Sequence, residues 1–334
     1  MKLPQRVAIL GAGGFIGRKL TTSLLNSGCT VKAGVRCPAG LNDMGAVEVV
    51  SDFTAAEHFD PLIDSVDVLV HAASANTVAS SSGHPAREFD SDLRISLAMI
   101  QALERKKHLH IIFLSSGGTV YGNQKGKKPI RETDLPKPQS YHGAAKLAVE
   151  NFLISWALQN SSPLTIVRPS NIYGPGQSAR TGFGVIPALF RCASQSLPFR
   201  LRGSLHTVRD FLYIDDFIRL LLFILASGQP KQPVIYNAGR GVGTKLEDLI
   251  KTIQYVTDSN ITTVKGAPLK GEIEKVELNC ELAEERFGWK SNTSLETGLS
   301  QSWEYWNSTA TKLIELNDNH IFMDRNKDKK KHQE

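Results

Sequence analysis

The chain has 334 residues, 41% hydrophobic and 22% charged, which is ordinary for a soluble globule and enough for one large α/β domain or up to two smaller ones. No apolar run approaches the length needed to span a bilayer, and the opening MKLPQRVAIL has no long apolar leader, so a cytoplasmic protein without membrane contact is expected. Cys29, Cys37, Cys192 and Cys280 show neither CxxC nor metal-ligand spacing, which fits a reducing compartment and predicts no metal site.

In chain order, Val7 to Leu10 reads as a short strand, GAGGFIG (11–17) as a turn, and Phe15, Ile16, Leu20 and Leu24 recur at helical spacing. Gly28 ends that helix, and Thr30 to Val35 reads as a second strand, completing a βαβ unit. VEVV (47–50), VDVLVHAAS (66–74), LHIIFLSS (109–116) and LTIVRPSNIYG (164–174) read as further strands, with helical patterns over about 87–106 and 141–159. This alternation predicts an α/β fold: a Rossmann-type doubly wound parallel sheet with helices on both faces. After about residue 172, Gly and Pro become frequent and the pattern loosens. The expected division is a dinucleotide-binding domain over 1–171 plus about 208–240, and a smaller C-terminal lobe over 172–207 and 241–312. The charged tail, 313–334, is expected to be disordered. It supplies part of the +6 net charge, but no aromatic residues interleave its charges, so nucleic-acid binding is not expected.

Gly11, Gly14 and Gly17 lie between a strand and a helix. There they permit a tight turn, a close backbone approach to a pyrophosphate, and close strand–helix packing. The helix N-terminus adds free N–H groups and a positive dipole end. NAD or NADP is the expected cofactor. The second strand ends at Arg36 rather than at an acid, which inclines the reading towards the 2′-phosphate of NADP.

GxxGxxG (11–17), HAAS, LSSGGTVYG, the Lys146 helix, RPSNIYGPG and RDFLYIDD occur in this order. Together they resemble the extended short-chain dehydrogenases/reductases, and within them the nucleotide-sugar branch of UDP-galactose 4-epimerase and related epimerases, dehydratases and reductases. The resemblance covers about residues 5–308. It implies an NAD(P)-dependent enzyme acting by transient hydride transfer at a sugar carbon, a C-terminal lobe that holds a nucleoside-diphosphate sugar, and a homodimer. By position it implies that Gly11, Gly14, Phe15, Ile16 and Gly17 hold the pyrophosphate and that Asp52 and Phe53 meet the adenine. Ala72, Ala73 and Ser74 would line the cofactor, with Lys146 and Ser170 at its nicotinamide end. Asn171 and Arg209 would bind the substrate, the arginine at its diphosphate. A 4-epimerase of UDP-glucose/UDP-galactose type is the leading expectation. An NADP-dependent nucleotide-sugar reductase and a catalytically impaired cofactor-binding homologue are the alternatives.

Two positions depart from the family pattern. The usual Ser/Thr position is Gly117, which leaves Ser116 and Thr119 as nearby hydroxyls. In PQSYHGAAK (138–146) the usual tyrosine position, four residues before Lys146, is His142, and Tyr141 lies five before. Residues i and i+4 share a helix face, so His142 is the leading acid/base candidate and Tyr141 the second. A neutral imidazole can accept a hydroxyl proton, although more weakly than a tyrosinate. His58, His84, His108 and His110 are expected on surfaces or loops. Ile95, Met99 and Leu103 form an apolar stripe expected at the dimer interface.

Overall fold

The computed structural model describes residues 2–123, 128–177, 184–267, 271 and 273–308; the tail expected to be disordered lies outside them. Short aliphatic runs form strands, and amphipathic segments return between them as helices. The first half comprises β1 (Arg6–Leu10), α1 (Phe15–Asn26), β2 (Thr30–Val35), β3 (Val47–Val50), α2 (Asp60–Ile63) and β4 (Val68–His71). α3 (Val78–Ser81), α4 (Pro85–Glu88), a π turn over Phe89–Leu93 and α5 (Arg94–Leu103) then lead to β5 (His110–Leu114). Next come α6 (Tyr141–Asn160), β6 (Leu164–Pro169), β7 (Asn171–Tyr173), α7 (Val185–Gln195), β8 (Phe199–Leu201) and β9 (Val208–Tyr213). α8 (Ile214–Ala226), β10 (Val234–Ala238), β11 (Gly243–Lys245), α9 (Leu246–Thr257), β12 (Thr263–Lys265) and α10 (Glu281–Phe287) complete the named elements. A helical stretch at 295–308 follows.

Seven parallel strands pair in the order β10-β6-β5-β4-β1-β2-β3. The order reverses between β1 and β4, where open α/β sheets form their binding crevice. Side chains alternate across the sheet with period two. Val7 and Ile9 join Leu20 and Leu24 of α1 and Phe217 and Leu221 of α8 in one core. Ala8 and Leu10 instead face Met99 and Leu103 of α5 and Leu153 and Trp156 of α6. This is the doubly wound fold the alternation predicts.

A smaller sheet has the order β11-β9-β7, with β7 parallel and β11 antiparallel to β9. β8 and β12 form a separate parallel pair. The pattern assigned 208–240 to the first domain, but the chain divides that segment. β9 belongs to the small sheet, whereas α8 and β10 return to the large one. The first core runs from Val7 to Leu299 across both parts.

Two sequence expectations are corrected here. Met99 and Leu103 are fully buried in the chain's own core, because α5 turns this stripe towards α6 and the sheet; only Ile95 keeps partial exposure. His110 is not a surface residue: it lies buried on β5, where its Nε2 contacts Thr165 Oγ1 at 3.0 Å.

α6 is tied to the sheet by a buried ion pair. Arg168 of β6 donates from two nitrogens to the two oxygens of Glu150, at 3.0 and 2.6 Å. Arg168 also donates to Tyr121 Oη at 2.9 Å, and Tyr121 donates to Asn237 Oδ1 at 2.7 Å. Ser115, just past β5, donates to the same Glu150 carboxylate. Removing one partner of such a pair strands a buried charge. Arg168→Met is therefore expected to lose about 3–5 kcal/mol of unfolding free energy in a denaturant titration. A loss within the ~0–1 kcal/mol of a surface pair would contradict this role.

Candidate active site

The turn after β1 is built for close approach. Gly11 has φ +86°, and a Cβ there would lie 2.6 Å from Ala73 Cα. A Cβ on Gly17 would strike the Gly11 carbonyl oxygen. Gly14 caps α1 without a side-chain bond, and the first turn of α1 contains no acid. The first N–H groups and the positive end of the helix are thus open to an anion, with Phe15 and Ile16 opening the helix itself. This bare cradle fits a dinucleotide pyrophosphate.

Beyond the cradle, Arg36, Asp52, Thr54, Asn76, Arg87 and Asp90 help line a cavity of about 380 Å³. Asp52 accepts from the Thr54 N–H at 3.1 Å and faces His58 Nδ1 at 2.7 Å. The backbone N–H of Thr54 is the leading cause holding its carboxyl below the usual range. Phe53 has a φ of 56°, is 1% exposed and packs its ring against Phe59, so an adenine contact at this position would come from its backbone.

Ala72 and Ala73 follow β4 and flank Gly11. Ser74 turns the other way, donating to Asp92 Oδ2 at 2.7 Å. The Ala75 N–H reaches Asp92 Oδ1 at 2.9 Å, and Lys146 Nζ stands 3.8 Å from Asp92 Oδ2. Burial works to raise the Asp92 carboxyl, but Lys146 and these two donors outweigh it and hold it below the usual range. Lys146 also reaches the Leu114 carbonyl at 3.4 Å and lies 5.2 Å from the centre of the Phe113 ring. The neighbouring His71 is pushed down to about 3, first by burial and then by Lys146.

Ser140 caps α6 by accepting from the Gly143 N–H at 3.1 Å. That start fixes the first turn of the helix. His142 and Lys146 are both buried, and Tyr141 is 48% exposed. His142 Nδ1 lies 3.5 Å from Glu88 Oε1. Neither this nitrogen nor either Glu88 oxygen has a hydrogen-bond partner among the described residues. The sequence reading missed Glu88 and Asp92. Their signal is the acid spacing in EFDSD, which matches one helix face, yet such a run normally reads as a solvated surface.

Gly117 has no room for the side chain the family pattern carries there. A Cβ would come within 2.7 Å of Leu278 Cδ1 and 2.8 Å of the Arg168 carbonyl oxygen. Ser116 is half-buried beside it. Thr119 is buried, and its hydroxyl has no partner among the described residues. On the other side of the site, Asn171 begins β7 in register with Phe211 of β9, and its Oδ1 approaches Gly118. Arg209, also on β9, donates to its neighbour's carbonyl, Val208 O, at 2.9 Å.

Asp210, next to Arg209, is a further residue the sequence reading passed over. It accepts from the N–H groups of Arg240 and Gly241 at 2.8 and 3.1 Å, and Ser170 Oγ lies 3.4 Å away. Burial pushes its carboxyl up to about 6, against those backbone donors. Its signal was an acid between Arg209 and the apolar run FLYI (211–214).

A family model described as the NAD dependent epimerase/dehydratase family matches residues 7–239. The dTDP-L-rhamnose 4-epimerase of Burkholderia thailandensis is 27% identical, with 90% of this chain and 94% of that protein aligned. A dTDP-4-dehydro-6-deoxyglucose reductase of Escherichia coli is 30% identical over 57% of this chain and 59% of its own. The crystal structure of Thermotoga maritima UDP-glucose 4-epimerase with UDP-glucose superposes with a TM-score of 0.85 at 27% identity, covering 91% of this chain and 99% of that one.

The crowding at Gly117 gives a direct test. Gly117→Ser should lower stability by about 1–3 kcal/mol, as overpacking does, with a matching drop in thermal midpoint. An unchanged midpoint would mean that Leu278 and the β6 end yield freely.

Proposed function

Since the chain belongs to the NAD-dependent epimerase/dehydratase family, we propose that it is an NAD(P)-dependent nucleotide-sugar 4-epimerase, with a UDP- or dTDP-sugar as substrate. The observation that carries this reading is the inward pairing of His142 and Lys146 on one buried face of α6. They lie on the β4–β5–β6 side of a glycine cradle that fits a dinucleotide. The bound cofactor supplies reversible hydride acceptance at the sugar carbon.

The chain's own residues then have separable tasks. Gly11, Gly14, Phe15, Ile16 and Gly17 receive the pyrophosphate through backbone N–H groups. Arg36 and Asp52 stand at the adenosine end, and Ala72, Ala73 and Ser74 flank the middle. Lys146 and Ser170 serve the nicotinamide end, where the ammonium orients a ribose hydroxyl. His142 accepts the sugar hydroxyl proton and returns it to the same oxygen when the hydride comes back to the carbon, and Ser116 and Thr119 offer hydroxyls to hold that oxygen. Asn171 and Arg209 bind the substrate's phosphates from the small sheet.

A reductase is the second reading. It is supported by the Escherichia coli relative and by Arg36, which with Arg87 puts two guanidinium groups on the cavity at the adenosine end. Asp52 and Asp90 in the same cavity weigh against a 2′-phosphate there.

The decisive assay offers UDP-, dTDP- and GDP-sugars to the pure protein and identifies the cofactor it releases. Epimerisation should proceed without net nicotinamide consumption, survive Tyr141→Phe, and fall by about 10²-fold or more in His142→Ala and Lys146→Ala. Stoichiometric NADPH oxidation would instead establish the reductase. Silence in the parent together with turnover in His142→Tyr would establish a fold that binds but no longer reacts.

The homodimer is proposed to form through α6 rather than through the α5 stripe. Phe152 and Leu158 of α6 are 50% and 57% exposed. A helix apolar on both sides has a second face to cover. Sedimentation at micromolar concentration should give a dimer that Phe152→Glu dissociates; a monomeric parent would overturn the assignment.

A further inference from the structure

Glu88 is a buried carboxylate without a hydrogen-bond partner among the described residues. Its side chain is 4% exposed, and both oxygens are sealed from solvent. A lone carboxylate so placed is costly unless something pairs with it. The group that faces it is His142, whose Nδ1 lies 3.5 Å from Oε1 and is equally sealed and unbonded. The His142 side chain retains 11% exposure. Since Nδ1 contributes essentially none of it, the ring meets the cleft by another edge.

The surrounding charges assign the two carboxylates to different partners. Asp92 is engaged by Lys146, Ser74 and the Ala75 N–H. His71, the other titratable group beside Lys146, is kept neutral by burial. Asp92 thus faces the ammonium, and Glu88 faces the imidazole. Tyr141 faces outward and adds nothing.

We propose that Glu88 is the positioning residue for His142: its carboxylate accepts the Nδ1–H, fixes that tautomer, and leaves Nε2 as the nitrogen that takes the sugar hydroxyl's proton. This rests on the epimerase reading above. In the oxidative half, the sugar O–H bond breaks and its proton passes to Nε2, while the C–H hydrogen leaves with its electron pair to the nicotinamide. The alcohol becomes a ketone, and the imidazolium stays held by Glu88. Both transfers reverse in the second half. The same pairing of carboxylate, imidazole and hydroxyl serves the Ser-His-Asp hydrolases, and such contacts tighten once substrate is in place.

Glu88, Asp92 and His142 also offer ligand atoms within 4.8 Å of one another. A divalent cation there would meet the Lys146 ammonium 3.8 Å from Asp92, which favours the proton over the metal.

Long-range ¹H–¹⁵N spectra of ring-labelled protein at about pH 8, above the ordinary imidazole range, read the tautomer without any turnover. His142 is identified as the signal lost in His142→Ala. The expected result is a proton on Nδ1 in the parent and loss of that preference in Glu88→Gln. Alongside, kcat should fall on the order of 10²-fold in Glu88→Gln with KM within about 2-fold. The acid limb of the pH profile should move to lower pH, and Glu88→Asp should restore part of the rate. An Nε2–H tautomer in the parent overturns the proposal even if neither Glu88 variant folds. Unchanged kcat and pH profile in Glu88→Gln, beside an active parent, overturns it while the epimerase reading stands. A parent inert to every sugar whose Nδ1–H depends on Glu88 removes the epimerase reading and keeps the pairing. A stoichiometric divalent ion found by elemental analysis in the parent and absent from Glu88→Gln replaces the pairing with a metal site.

Discussion

The buried pair between Arg168 and Glu150 is the constraint on which the site depends. An ion pair with both side chains at most 3% exposed survives only if its geometry is good and its remaining valences are used. Here they are used in several directions at once. Arg168 comes from β6 and Glu150 from α6. Tyr121 lies on the loop after β5, Ser115 at the end of that strand, and Asn237 on β10. The network fixes how α6 is rotated over the sheet. Glu150 lies on the same helix face as Lys146 and His142, one and two i+4 steps back. The rotation that satisfies the pair therefore also turns the lysine and the histidine inward and leaves Tyr141 outside.

The second organising fact is that charges are placed in opposing sets. The segment from Pro85 to Leu103 passes through a π turn at Phe89–Leu93, a local widening often found near functional groups. Around this turn, Glu88 and Asp92 both reach the underside of α6. One meets the imidazole and the other the ammonium. The opening of α1, by contrast, is kept free of acids. Negative side chains gather where cations and protons are handled, and none crowds the first turn of the phosphate cradle.

Much of this was legible in the sequence because it rests on local periodicity. Short apolar runs gave the strands, helical spacing gave α1 and α6, and the glycine triplet between β1 and α1 needed only its context. The i+4 relation put His142 rather than Tyr141 on the Lys146 face, and the structure buries that face while Tyr141 stays exposed. What was not legible depends on contacts distant in sequence. Met99 and Leu103 made a convincing external stripe because a pattern marks a face as apolar without naming what covers it. Phe53 follows Asp52, and its left-handed backbone and packing on Phe59 turn its ring into the core. Glu88 and Asp92 lie about fifty residues before His142 and become a site only when α6 settles above them. The void at Gly117 is filled by Leu278, which no local reading could supply.

The path of the chain through β9 has a consequence for how the molecule is made. The large sheet has its β10 edge strand at Val234–Ala238 and one of its covering helices at Ile214–Ala226. Both come after the chain has left to build part of the small sheet. During synthesis, the strands β1 to β6 emerge with the face beside α1 still lacking Phe217 and Leu221. Asn237, which receives the Tyr121 hydroxyl, has not yet been made. The nucleotide-binding half is therefore not a module that finishes first and waits for its companion. It remains open on one face and one edge until roughly two-thirds of the chain has left the ribosome, a count taken from the position of β10 in the 334 residues. Its assembly is tied in time to that of the lobe that would hold the sugar.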